Sequence, residues 1–187
     1  MNDHDRIELI LPDWIDRDID FARRYHDDES RMGLAIGLAR RNVELGSGGP
    51  FGAAIFRSDG ELVAAGVNRV VPQQCSVAHA EMMAFMSAQK RLGRYRVNDD
   101  GEKYILATSA QPCAMCYGAS FWAGIDALVI GARAEDVMEL SAFDEGPLPA
   151  DWIGELGKRG IEVRRDVLRD QARGVFELYR SSAGASY

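Results

Sequence analysis

Two short stretches constrain this chain more than anything else in it: Val77-Ala78-His79-Ala80-Glu81 and, about thirty residues later, Gln111-Pro112-Cys113-Ala114-Met115-Cys116. One imidazole and two thiols, brought together, are a ligand set with which a catalytic Zn²⁺ binds while keeping its fourth position for water. Glu81 stands beside the imidazole as a carboxylate that need not bind metal. Other uses of these residues are open. Cys113 and Cys116 alone could form a Cys-x-x-Cys redox pair, and a lone histidine is often a satisfied core residue. A purely structural zinc would want a fourth protein ligand, for which Cys75 is the only spare thiol. Neither the redox nor the structural reading explains Glu81 or Pro112. The open, catalytic zinc site does, and it leaves Cys75 as a bystander in the preceding loop.

At 187 residues the chain is long enough for one domain with a proper core. Its 47% apolar and 27% charged content is that of an ordinary globule. No apolar run approaches the ~20 residues that span a bilayer, and the polar stretch from Met1 to Asp5 does not open a secretory signal. Three cysteines, two of them given to metal, make no disulfide framework, so a reducing, cytoplasmic setting is expected. The net charge is −7, but ten acids against four arginines put −6 of it between Met1 and Glu29. The remainder is close to neutral, which argues only mildly against nucleic acid.

Residues 1–28 read as an acidic extension, with Trp14, Ile15, Ile19 and Phe21 on one face of a short surface helix or a partner-binding arm. The domain proper, 29–187, opens with a helix over 31–43, capped by Ser30 and stopped by Gly46. Gly46-Ser47-Gly48-Gly49-Pro50 lacks the Lys-Ser/Thr of a phosphate loop and is expected to border the pocket. Strands at 51–56 and 62–67 flank the turn Ser58-Asp59-Gly60. A loop holding Pro72 leads to a helix from Ala78 to Leu92 that Ser76 would cap. Then come a strand at 104–108, a helix from Pro112 to Trp122 and a strand at 127–130. A short helix at 135–140, a Pro-rich loop and a helix at 150–158 follow, then a strand at 161–163, a helix at 166–179 and a small-residue tail. This alternation implies a sheet covered by helices on both faces.

Within this frame each ligand segment sits at a helix start. Pro112 suits the first turn, Cys113 and Cys116 share a face, and the positive end of the helix favours thiolates. Residues two apart diverge on a regular helix, so His79 and Glu81 are expected to straddle theirs.

The arrangement H-x-E…P-C-x-x-C is the signature of zinc nucleobase deaminases. The stretch from Pro50 to Glu145 resembles the bacterial guanine deaminases of the cytidine-deaminase-like superfamily. It does so in Pro50-Phe51-Gly52-Ala53, Gly66-Val67-Asn68, His79/Glu81, Cys113/Cys116, Trp122-Ala123 and Phe143-Asp144-Glu145. The resemblance implies a three-layer α/β/α fold with a mixed five-stranded sheet and one Zn²⁺ per subunit, held by His79, Cys113 and Cys116. It implies that hydroxide generated at the metal converts guanine to xanthine and ammonia, with Glu81 shuttling the proton. Asn68 matches the asparagine that reads the base. Glu145, or Asp144 beside it, matches the acid that grips N1–H and the 2-amino group. Ala80 joins the substrate contacts. Phe51 and Trp122 are expected as pocket walls or as ordinary core. A homodimer is implied as well, in which a swapped C-terminal segment would bring Tyr187 over the partner's site.

The chain departs from the family in places. Many members have aspartate where Glu145 stands, the N-terminal extension is not general, and the C-terminal region matches loosely. The rival activities are deamination of tRNA adenosine, cytosine or aminotriazines; a non-catalytic zinc-stabilised module is the rival of another class. From Lys158 to Arg180 seven basic residues interleave with four acidic ones, more a salt-bridged face than an RNA-binding stripe. No nucleic-acid or membrane partner is expected.

Overall fold

The computed structural model describes residues 7–182. In chain order these form α1 (Trp14–Asp18), α2 (Asp28–Glu44), β1 (Gly52–Arg57), β2 (Leu62–Val67) and α3 (Val70–Gln73). There follow α4 (Ala80–Leu92), β3 (Tyr104–Ala110), α5 (Ala114–Ala123), β4 (Ala127–Ala132) and α6 (Ala134–Leu140). The chain continues through α7 (Trp152–Gly157), β5 (Glu162–Arg164) and α8 (Arg169–Ser181). The sheet runs β2-β1-β3-β4-β5. β1 is antiparallel to both its neighbours, and β3, β4 and β5 are parallel, so the sheet is mixed.

Side chains alternate across a strand, and the two cores follow that alternation. Ala54, Phe56, Ile105, Ala107 and Val129 face α2 and α8, whereas Ala53, Ile55, Leu106, Leu128 and Ile130 face α4, α5 and α7. This is the expected α/β/α sandwich. Because β1 alone is reversed, its start at Gly52 pairs with the end of β2 at Val67, and Ala53 pairs with Thr108 near the end of β3. Phe51, Asn68 and the residues after Ala110 therefore meet at one edge of the sheet. Gly66 holds α4 against that edge: a Cβ there would lie 2.2 Å from the Ala80 carbonyl oxygen.

Several local expectations need correction. Asp27, not Ser30, caps α2: its side chain accepts from the Ser30 N–H at 2.6 Å, because the helix starts three residues earlier than the apolar spacing suggested. α4 starts at Ala80 with His79 as its N-cap, so Ser76 caps nothing there. Pro72 lies in the short helix α3 and not in a loop. Trp14 and Ile15 are buried in the same core as Met32 and Phe56, and the Trp14 indole N–H donates to Ser47 Oγ at 3.1 Å. The chain on either side of residue 28 thus shares one core.

Asp136 ties α6 to α8. Its carboxylate is buried; it accepts the Arg133 N–H at 2.9 Å, two bonds from Arg169 at 2.7 Å, and another from Arg173. The Arg169 hydrogen bonds, above all, hold its pKa far below the usual carboxylate range. Asp136→Ala should cost about 2 kcal/mol at pH 7. Breaking a fully buried pair costs more, but both arginines are partly exposed and recover some hydration. A depressed folded pKa stabilises above the unfolded value near 3.8 and is lost as pH falls further. The gap between variant and wild type, measured by urea unfolding, should therefore narrow below pH 4.

Candidate active site

The two metal-ligand segments are built alike. His79 and Cys113 are the N-cap residues of α4 and α5, both in extended conformation and neither using its side chain to cap the helix. Cys116 follows one turn into α5 and is fully buried. The ligand atoms of His79, Cys113 and Cys116 all lie within 4.8 Å of one another, with Cys113 Sγ 3.5 Å from His79 Nδ1. Zn–S and Zn–N bonds of about 2.3 and 2.0 Å at a tetrahedral angle separate the two donors by roughly 3.5 Å, so the set fits zinc. Among the described residues no fourth His, Cys, Asp or Glu joins the group, and Cys75 is not part of it. The structural-zinc reading loses its last ligand.

The donors carry the charge a cation wants. The hydrogen bond from Cys116, helped by His79, draws the Cys113 thiol down to about 4 against the effect of burial. The same bond and burial push Cys116 upward. A single proton shared between two buried sulfurs is a pair that a divalent cation displaces.

Glu81, one residue into α4 from Ala80, is buried, and Thr108 Oγ1 donates to its Oε1 at 3.2 Å. Burial first, then the charge of Cys113, raises its pKa. Asn68 follows β2. Its N–H donates to Phe51 O at 3.1 Å, its C=O accepts from Asn42 at 2.9 Å, and its Oδ1 accepts the Val70 N–H at 3.2 Å. The amide nitrogen is what it has left to offer. Asn42 also holds Gly49 O at 2.8 Å, which fixes the Gly46–Pro50 loop beside Asn68.

His79, Cys113, Glu81 and Asn68 line one cavity of about 80 Å³ with Phe51, Gln111, Phe143, Asp144 and Glu145. Three larger clefts among the described residues include none of His79, Glu81, Cys113 and Cys116. Phe51 packs edge-on against Phe143 at 5.1 Å and Phe176 at 5.4 Å, and Tyr179 stacks on Phe143 at 6.0 Å, so α8 backs the wall. Asp144 is exposed and its Oδ1 accepts the Gly146 N–H at 2.8 Å. Glu145 sits deeper. Burial, then the charges of Glu81 and Cys113, push its carboxyl up to about 8.

Residues 25–132 match the family described as the cytidine and deoxycytidylate deaminase zinc-binding region. The chain belongs to that family. This deaminase is 41% identical over 117 residues to the guanine deaminase of Bacillus subtilis, covering 63% of this chain and 71% of that one. It superposes on the guanine deaminase structure from Nitrosomonas europaea with a TM-score of 0.90 and 42% identity, over 97% of this chain and 98% of that one. A tRNA-specific adenosine deaminase of Bacillus subtilis is 36% identical over 105 residues, covering 56% of this chain and 62% of that one.

The deaminase brings His79, Glu81, Cys113, Asn68, Phe51, Asp144 and Glu145 to one cavity, with Cys116 in the metal group. Ala80 is buried in the core beneath α4, beside the ligand and not on the cavity wall. Trp122 is not brought there. It lies in the last turn of α5, is 72% exposed and lines a different surface cleft with Arg96 and Arg159, because α5 carries it most of a helix length from Cys113. Tyr187 lies outside the described residues. Thr108 and Gln111 are members of the site that the pattern did not single out. A hydroxyl pair, Thr108-Ser109, ending the apolar run Ile105-Leu106-Ala107, and an amide directly before Pro112, were the available signals. Among the described residues no helix is long and apolar enough to cross a membrane.

Proposed function

We propose that this enzyme hydrolyses guanine to xanthine and ammonia. The observation that carries this reading is the half-buried Glu145 carboxyl lining one cavity with His79 and Cys113 of the metal group and with Phe51 and Phe143. A carboxylate there accepts from both N1–H and the 2-amino group, whereas adenine and cytosine present a bare ring nitrogen beside their amines. Phe51 and Phe143 take the apolar ring face.

Zinc held by His79, Cys113 and Cys116 supplies Lewis acidity that makes water a nucleophile at neutral pH. The other steps belong to side chains. Thr108 donates to Oε1 of Glu81 and fixes the carboxyl, which takes a proton from the attacking water. Glu81 then passes it to the ring nitrogen next to the amine-bearing carbon and on to the departing amine. Asn68 offers its amide N–H groups to an acceptor of the ring, and Glu145 orients the donor edge. Ammonia release from guanine, adenine, cytosine, cytidine and ammeline is the direct test. Guanine is expected to be fastest, and a preference for cytidine would overturn the reading.

The substrate is a free base and the working unit a homodimer. α5 has no charged residue, yet only Cys116, Ser120 and Ala123 of it are buried, and a Cβ on Gly118 would meet nothing within 4 Å. That face can receive a second helix closely. Light scattering should give a dimer mass for the wild type and a monomer mass for Trp122→Glu.

A further inference from the structure

Among the described residues nine polar or charged side chains are buried, and eight of them hold hydrogen bonds within the chain. Gln111 is the ninth. It is 6% exposed, its backbone N–H donates to Ala132 O at 2.8 Å, and its side-chain amide has no hydrogen-bond partner among the described residues. It also lines the cavity beside Asn68, His79, Glu81 and Glu145. The amide keeps a trace of solvent contact on the cavity side; a ligand filling the cavity removes it, and the amide then needs a partner on that ligand.

The chemistry of the cavity says which end of the amide is wanted. Acceptors are plentiful, since Glu81, Asp144 and Glu145 all bring carboxyl oxygens. Neutral donors are scarce, and Asn68 has already spent its oxygen on Val70. We infer that Gln111 is a specificity-determining residue whose amide N–H donates to an acceptor atom of the bound base, a keto oxygen or an unprotonated ring nitrogen. This rests on the reading of the cavity as a nucleobase site and adds a residue to it. Gln111 is held there rigidly, between the end of β3 and the fixed φ of Pro112.

Gln111→Leu tests it, with Gln111→Met as a second, unbranched replacement. Loss of one neutral hydrogen bond should raise KM for guanine about tenfold. kcat should stay within about threefold, because the amide binds the base and leaves the Glu81 proton path intact. The melting temperature of the ligand-free, zinc-loaded enzyme should hold, since the amide bonds no other described residue and none of the fold's own hydrogen bonds is lost. A structural glutamine gives the opposite pattern: a lower melting temperature with KM unmoved, and that result overturns the inference. An unchanged KM with unchanged stability, the amide serving only solvent, overturns it as well. Should the wild type fail to hydrolyse guanine, the substrate reading falls separately. Calorimetric binding of guanine and of adenine to wild type and Gln111→Leu would still decide whether Gln111 touches a base.

Discussion

Glu81→Gln should keep its zinc and lose about 10²–10⁴-fold in kcat, the range that a positioned proton carrier contributes. The glutamine is isosteric, and its side-chain oxygen can still accept from Thr108, which now bonds Glu81 Oε1 at 3.2 Å. The position is not in the His79, Cys113 and Cys116 group, so metal affinity has no reason to change. What disappears is an oxygen that can take a proton and give it back. Burial raises the pKa of this carboxyl above the usual carboxylate value, the direction that strengthens it as a proton acceptor. Metal analysis and ammonia release on the same preparation separate the two properties. Near-normal turnover by the zinc-loaded variant would remove Glu81 from the mechanism. Thr108→Val should show a smaller loss, about tenfold in kcat with KM unmoved, and Thr108→Ser should restore it.

The sequence spoke most plainly where chemistry needs particular residue types at fixed spacing. His79, Cys113 and Cys116 converge because each opens or lies within the first turn of a helix at the same sheet edge. The strands were equally legible, being short apolar runs between turns. Helix starts themselves were placed less well. Asp27 caps α2 in place of Ser30 because two more acidic residues, Asp28 and Glu29, could join the helix ahead of its first apolar residue. α4 waits until Ala80 because His79 must stay extended to reach Cys113. Apolar spacing carries no record of such a demand. Trp14 and Ile15, in an acidic stretch, gave a helical face but not its destination in the main core. Gln111 is the instructive omission: its type and its place before Pro112 were visible, but an unpartnered amide is a property of three dimensions.

Replacing Glu145 should change which bases are accepted as well as the rate. A carboxylate accepts two hydrogen bonds from the guanine edge, and both are charge-assisted. Glu145→Gln leaves one acceptor and turns an N–H₂ group towards a donor, so kcat/KM for guanine should fall by about 10²-fold or more. The same amide matches an amine beside a bare ring nitrogen, accepting from one and donating to the other. Activity on adenine or cytosine relative to guanine should therefore rise in the variant. The pH profile gives an independent check. Accepting two donors requires the ionised carboxyl, whose pKa lies near 8 through burial first and the charges of Glu81 and Cys113 second. A cation between the sulfurs offsets the charge contribution but leaves the burial. In the zinc enzyme the acidic limb of kcat/KM should then lie between the ordinary 4.5 and about 8, with activity rising as pH climbs through it. Glu145→Gln cannot ionise, so that limb should flatten. If the limb persists unchanged while kcat/KM still falls, Glu145 grips the base but a different group sets the pH dependence. If neither moves, Asp144, one residue away in the same cavity, takes over the grip.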